Sequence, residues 1–200
     1  MQLFIPILVI IIIIIIILFI WNYVSKINSK PNINNFINNL PKEQYQQLVN
    51  LFGYPTIVRN ERYGAVIWIN KDIFNKIVLA DELLEDSDPI LHYDFLYTVV
   101  IVKIPSKSFC DVLNSNQSII YDQIKNELTV RSNSIGANVS ILLMIMKIID
   151  NPNNTINYKN ELPNIIQQSK NSDNYKMLYN ELKQRIQINQ HNFNLIKKSK

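Results

Sequence analysis

The chain has one cysteine in 200 residues, Cys110, so no disulfide can form within it. That agrees with a reducing compartment, where a fold rests on its hydrophobic core rather than on covalent links. Glycine is almost as scarce. Gly53, Gly64 and Gly136 are too dispersed for a P-loop, a dinucleotide fingerprint or a kinase glycine-rich loop. There is no Gly-x-Ser-x-Gly elbow, and one Cys with two His excludes the familiar cysteine-rich zinc sites. Arginine (4) and alanine (3) are low beside 36 Ile, 28 Asn and 16 Lys. Such a bias follows codons rich in A and T, so a single Asn or Lys carries little information about a site.

What the chain does have is one long hydrophobic run. Leu3 to Trp21 contains no charged residue and, apart from Pro6, is almost entirely Ile, Leu, Val and Phe. As a helix it spans roughly 28 Å, close to the ~30 Å hydrocarbon thickness of a bilayer. Pro6 falls in the first turn, where a missing N–H costs little. Trp21 and Tyr23 stand where an interfacial aromatic belt belongs, and Lys26 and Lys30 follow. A cleaved signal peptide fits poorly: no basic residue precedes the run, the run is long, and no small-x-small site follows it. The expectation is a transmembrane anchor over residues 1–23, with the two lysines placing the following domain in the cytosol.

Charge is unevenly spread. Residues 41–150 carry ten basic and thirteen acidic side chains, and residues 151–200 carry eight and three. The middle reads as a mildly acidic globule and the end as a basic Asn/Lys-rich tail, able to meet anionic lipid or another polyanion, with a solvated extension the favoured reading. Three glycosylation sequons, at Asn116, Asn138 and Asn153, are about what the Asn content yields by chance.

Residues 24–40 are Asn-rich and read as a tether. From Pro41 a helix is expected, with Tyr45, Leu48, Val49 and Phe52 on one face, Gly53 ending it and Pro55 barring continuation. Thr56–Arg59 and Ala65–Ile69 predict a hairpin, and Ile73–Ala80 a further strand. Phe95–Ile104, with its β-branched run Thr98–Val102, predicts a central strand covered on both faces. Ser106–Leu113 predicts a helix capped by Ser106. Ser118–Tyr121 and Leu128–Arg131 predict a second hairpin, and Ile135–Ile149 a buried helix, apolar nearly all round but too short to span a membrane. In the tail, Tyr175, Leu178, Tyr179, Leu182 and Ile186 recur at helical spacing. The fold class is therefore α+β over residues 41–150, a mainly antiparallel sheet with packed helices behind an N-terminal transmembrane helix. The order of elements resembles the type III secretion chaperone-like fold, a scaffold that generally holds other polypeptides.

One dense polar cluster remains: Asp81, Glu82, Glu85, Asp86 and Asp88, then His92 and Asp94. Carboxylates with a histidine can hold a divalent cation, and Asp81, Glu85, Asp88 and His92 are the side chains that would do so. The spacing lacks the EF-hand pattern and its central glycine, and a hydrated loop between strands needs such residues for solubility alone. No metal site and no catalytic residue is assigned. Cys110 is expected to pack within its helix, with no partner motif for a nucleophile.

Two segments carry a resemblance. His92–Tyr97 runs into the central strand, and Tyr121–Arg131 leads to Ile135–Val139. Their strings DFLYT and GANV resemble those of uncharacterised membrane-anchored proteins of giant nucleocytoplasmic DNA viruses, over about residues 50–150. The resemblance implies no activity, cofactor or catalytic residue; it implies that the membrane is a host organelle's or a virion's. The functional expectation is a membrane-tethered protein-interaction or scaffold module, with the bilayer and another protein as partners and nucleic acid not among them. The alternative is a membrane-bound enzyme using the acidic loop 81–94.

Overall fold

The computed structural model describes residues 14–19, 41–59, 64–80 and 95–198, with side chains through residue 194. Residues 1–35 and 36–200 form two compact units. In the first, residues 14–19 are helical, and their Ile, Leu and Phe side chains are half exposed or more. Among the described residues no helix is long and apolar enough to cross a membrane. The remainder of the Leu3–Trp21 run lies outside the described residues, as do Trp21, Tyr23, Lys26, Lys30 and the 24–40 tether.

The second unit opens with α1 (Lys42–Phe52). Gly53 donates its N–H to the Val49 carbonyl and ends the helix at φ 75°, a positive-φ backbone that glycine adopts without strain. The Gly53 carbonyl then accepts from the Trp68 indole N–H at 2.8 Å. Tyr45 and Leu48 of the same helix are buried, with the Tyr45 ring against Trp68.

Among the described residues six strands follow: β1 (Ile57–Arg59), β2 (Ala65–Lys71), β3 (Phe74–Ala80), β4 (Leu96–Ile101), β5 (Ile119–Asp122) and β6 (Glu127–Ser132). They form one antiparallel sheet in the order β1-β2-β3-β4-β6-β5. Both expected hairpins are present, and β4 stands in the interior of the sheet as its composition predicts. Coverage of β4 differs from the expectation. Leu96, Thr98 and Val100 are sealed on one face, whereas on the other Val99 is buried, Tyr97 half-buried and Ile101 exposed. The helices supply the seal, and they pack on one face.

Between β4 and β5 a 3₁₀ turn (Ser106–Ser108) runs into α2 (Phe109–Leu113). Ser106 does not cap it: Pro105 occupies the capping position, and no side-chain cap bond forms. Cys110 is exposed on α2 rather than packed inside it.

The central helix is α3 (Ile135–Asp150), capped by Ser134, whose Oγ accepts from the Ala137 N–H. Every residue of α3 except Lys147 and Asp150 is buried. The all-round burial has a plain cause. α3 packs on β4 and β6 on one side and on α4 (Thr155–Gln168) and α5 (Ser172–Lys198) on the other. Each fully buried Leu, Ile or Met of α3 stabilises the fold by roughly 1.5–3 kcal/mol.

α4 and α5 continue the compact unit past residue 150. Ile165, Tyr175, Leu178, Leu182 and Ile186 join the core, and the compact unit runs through them. Gly136 explains how closely these layers approach: a Cβ added there would stand 2.6 Å from the Ser169 Oγ.

Candidate interaction surface

Asp81, Glu85, Asp88 and His92, the sequence's candidate metal ligands, lie outside the described residues. Among the described residues no group of three or more His, Cys, Asp or Glu could hold a metal ion. What the fold assembles instead is built around α5.

α5 runs past one end of the sheet. Because β3 and β4 are antiparallel, the turn leading into β3 and the residues leaving β4 lie at that same end. At the turn, Asp72 adopts φ 53°, a left-handed conformation that Asp tolerates better than most residues. Its carboxylate accepts from the Tyr179 hydroxyl at 3.0 Å and pairs with the Lys183 ammonium at 2.8 Å. The Tyr179 ring meets Phe74, which meets Phe52 edge-on, and Tyr175 stacks on Tyr179. A concavity of about 280 Å³ opens among Leu51, Phe52, Asp72, Tyr175, Lys176 and Tyr179. Burial pushes the Tyr175 hydroxyl far above its ordinary range, and burial followed by the Asp72 carboxylate does the same to Tyr179. Both phenols therefore stay protonated at neutral pH and supply no base. The Asp72 charge is already balanced by Lys183, so this corner serves to fasten α5.

Farther along α5 the second fastening creates a surface. The Asn189 side-chain amide accepts from the Lys103 N–H and donates to the Lys103 carbonyl, both at 3.0 Å. Gln190 donates to the Ile101 carbonyl at 3.0 Å. From the opposite side, Tyr121 lies within hydrogen-bond reach of the Val102 carbonyl and the Asn126 amide oxygen, and accepts from the Ile104 N–H. Burial raises the Tyr121 hydroxyl above its ordinary value, which keeps it protonated for this work. The segment leaving β4 is thus clamped from both sides and forms a fixed wall.

Between that wall and α5 lies a groove of about 530 Å³, with Lys103, Lys107, Ile188, Asn192 and Phe193 among its lining. The Lys103 ammonium sits 4.7 Å from the centre of the Phe193 ring, a cation–π contact. Asp150, at the groove's edge, is ion-paired with Arg185, which also bonds Glu181 at 3.0 Å. Ile188 is 60 % exposed. The helical spacing of Tyr175 to Ile186 marks one face in the sequence, and that face is the buried one. The pairing of Asn189 with Lys103 leaves no such mark, since two polar residues 86 positions apart carry no pattern in common.

Compared with known protein families, with curated proteins and with solved structures, the chain matches none.

Proposed function

We propose that the chain is a single-pass membrane-tethered interaction or scaffold module. The observation that carries the interaction half is the groove beside α5: a preformed concavity of mixed apolar and basic lining whose wall is pinned from two sides. Rigid concave surfaces of this kind suit recognition, because little ordering entropy is lost when a partner docks. The tether half rests on the uncharged run Leu3–Trp21, with Trp21 and Tyr23 as belt residues at its end and Lys26 and Lys30 beyond, which support a cytosolic domain. On the resemblance to giant-virus proteins, the membrane is that of a host organelle or the inner membrane of a virion.

A photo-activatable cross-linker placed at position 188, on the groove, and at position 156, an exposed Ile of α4 outside its lining, tests this in membranes of expressing cells. Discrete protein adducts from position 188 alone are expected. Equal, diffuse labelling from both positions would remove the support for a docking surface.

A further inference from the structure

We infer that the groove takes an acidic peptide segment of another protein, bearing one apolar side chain between its carboxylates; this rests on the interaction reading above. Charge comes first. Among the described residues no carboxylate reaches the ammonium of Lys103 or Lys107, and the one acid of the lining, Asp150, is engaged by Arg185. The lining is left with two cations that form no ion pair among the described residues. The Lys103 head lies over the Phe193 ring, and no acceptor among the described residues takes its ammonium donors, which are left for an incoming carboxylate.

The floor decides between anionic partners. Ile149, Ile188 and Phe193 give the groove an apolar base, and Ile188 is largely uncovered. A lone phosphate would occupy a corner beside the lysines and leave that base in water. A bilayer surface is flat or convex on this scale and does not enter a concavity. A peptide fills both parts at once: carboxylates meet Lys103 and Lys107, and an apolar side chain covers Ile188.

The mode of capture is also constrained. Peptides often bind by adding a strand to a free edge, using main-chain hydrogen bonds. Here the N–H and carbonyl of Lys103 are both taken by Asn189, and the carbonyl of Ile101 by Gln190. Recognition is left to side chains, so it depends on the acid–apolar pattern and falls with salt.

The test is a selection of random dodecapeptides displayed on phage against the full chain held in zwitterionic nanodiscs. The expected result is enrichment of Asp/Glu residues flanking an apolar residue. The paired substitutions Lys103→Glu and Lys107→Glu should weaken the selected peptide by about tenfold or more, while Lys176→Glu at the other concavity leaves it unchanged. A peptide with lysines in place of its acids should then bind the doubly substituted chain, which separates charge recognition from misfolding. Enriched peptides without an acidic excess, or acidic ones that bind the doubly substituted chain equally well, would overturn the groove assignment and leave the interaction reading standing. No enriched peptide at all would count against both. If the full chain binds phosphatidylserine vesicles through Lys103 and Lys107 while selected peptides ignore them, the partner is a membrane surface and the inference is overturned.

Discussion

Asn189 of α5 and Lys103 at the exit of β4 exchange two hydrogen bonds, each 3.0 Å, so that a side-chain amide stands where a neighbouring strand's backbone would. The pair ends the sheet's ladder at this point, fixes the second half of α5 and fixes the groove wall in one step.

Asn189→Ala should therefore cost about 1 kcal/mol, since the groups it frees are partly open to water. Asn189→Asp keeps an acceptor for the Lys103 N–H but replaces the donor with a carboxylate oxygen that repels the Lys103 carbonyl. Hydrogen exchange at the Lys103 amide should accelerate in the alanine variant and stay slow in the aspartate variant. Equal exchange in both would mean that the amide pair does not hold the wall.

Val100 is fully buried on the sealed face of β4. Val100→Asp puts an unpaired carboxylate there, at a cost of several kcal/mol against a domain stability of ~5–15 kcal/mol. The expected outcome is an unfolded or aggregated chain. Ile124, 95 % exposed at the tip of the β5–β6 hairpin, is the comparison: Ile124→Asp should shift stability by no more than ~0.5 kcal/mol. Thermal melts of the two variants decide the matter, and a parent-like melt for Val100→Asp would contradict the sheet described.

Gly136 faces Ser169, and a methyl group added to it would stand 2.6 Å from the Ser169 Oγ and 3.2 Å from the Ser169 carbonyl oxygen. Gly136→Ala should destabilise by about 1–3 kcal/mol, because α3 and the turn after α4 must separate. Chemical denaturation measures it. A stabilised variant, as expected where alanine merely improves helix propensity, would show that the contact is slack.

Much of this architecture was legible in the chain and some was not. The β-branched runs announced β2, β3 and β4, and the apolar Ile135–Ile149 announced the buried α3, because burial on several sides leaves no polar positions. α4 was hidden. Pro163 sits inside it, and of its residues only Ile165 is buried, so it shows no apolar stripe. The role of α5 as a fastening was half visible: its buried face has helical spacing, whereas Lys183, Asn189 and Gln190 act through partners far away in sequence. Ser106 illustrates a local signal that misleads, since Pro105 before it already sets the extended backbone that starts the turn.

The tyrosines predict an alkaline limit. Burial is the foremost cause that raises the hydroxyls of Tyr45, Tyr121, Tyr175 and Tyr179 above the ordinary 10.0. A folded-state value above the unfolded one means the fold favours the protonated phenol. That contribution is complete below the unfolded value and is lost as pH rises through the folded values. Tm should be flat up to about pH 9 and fall beyond about pH 10, and Tyr175→Phe should soften the fall. A Tm that is unchanged at about pH 11 would show that these hydroxyls ionise freely in the fold.

The central claim, a domain tethered by the Leu3–Trp21 run, is tested most directly by alkaline carbonate extraction of membranes carrying the full chain. A span of about nineteen apolar residues inserts essentially irreversibly, unlike a helix lying on the surface. The account predicts that the full chain stays in the membrane pellet while residues 41–200 expressed alone are recovered in the supernatant. Release of the intact chain into the carbonate supernatant would contradict it.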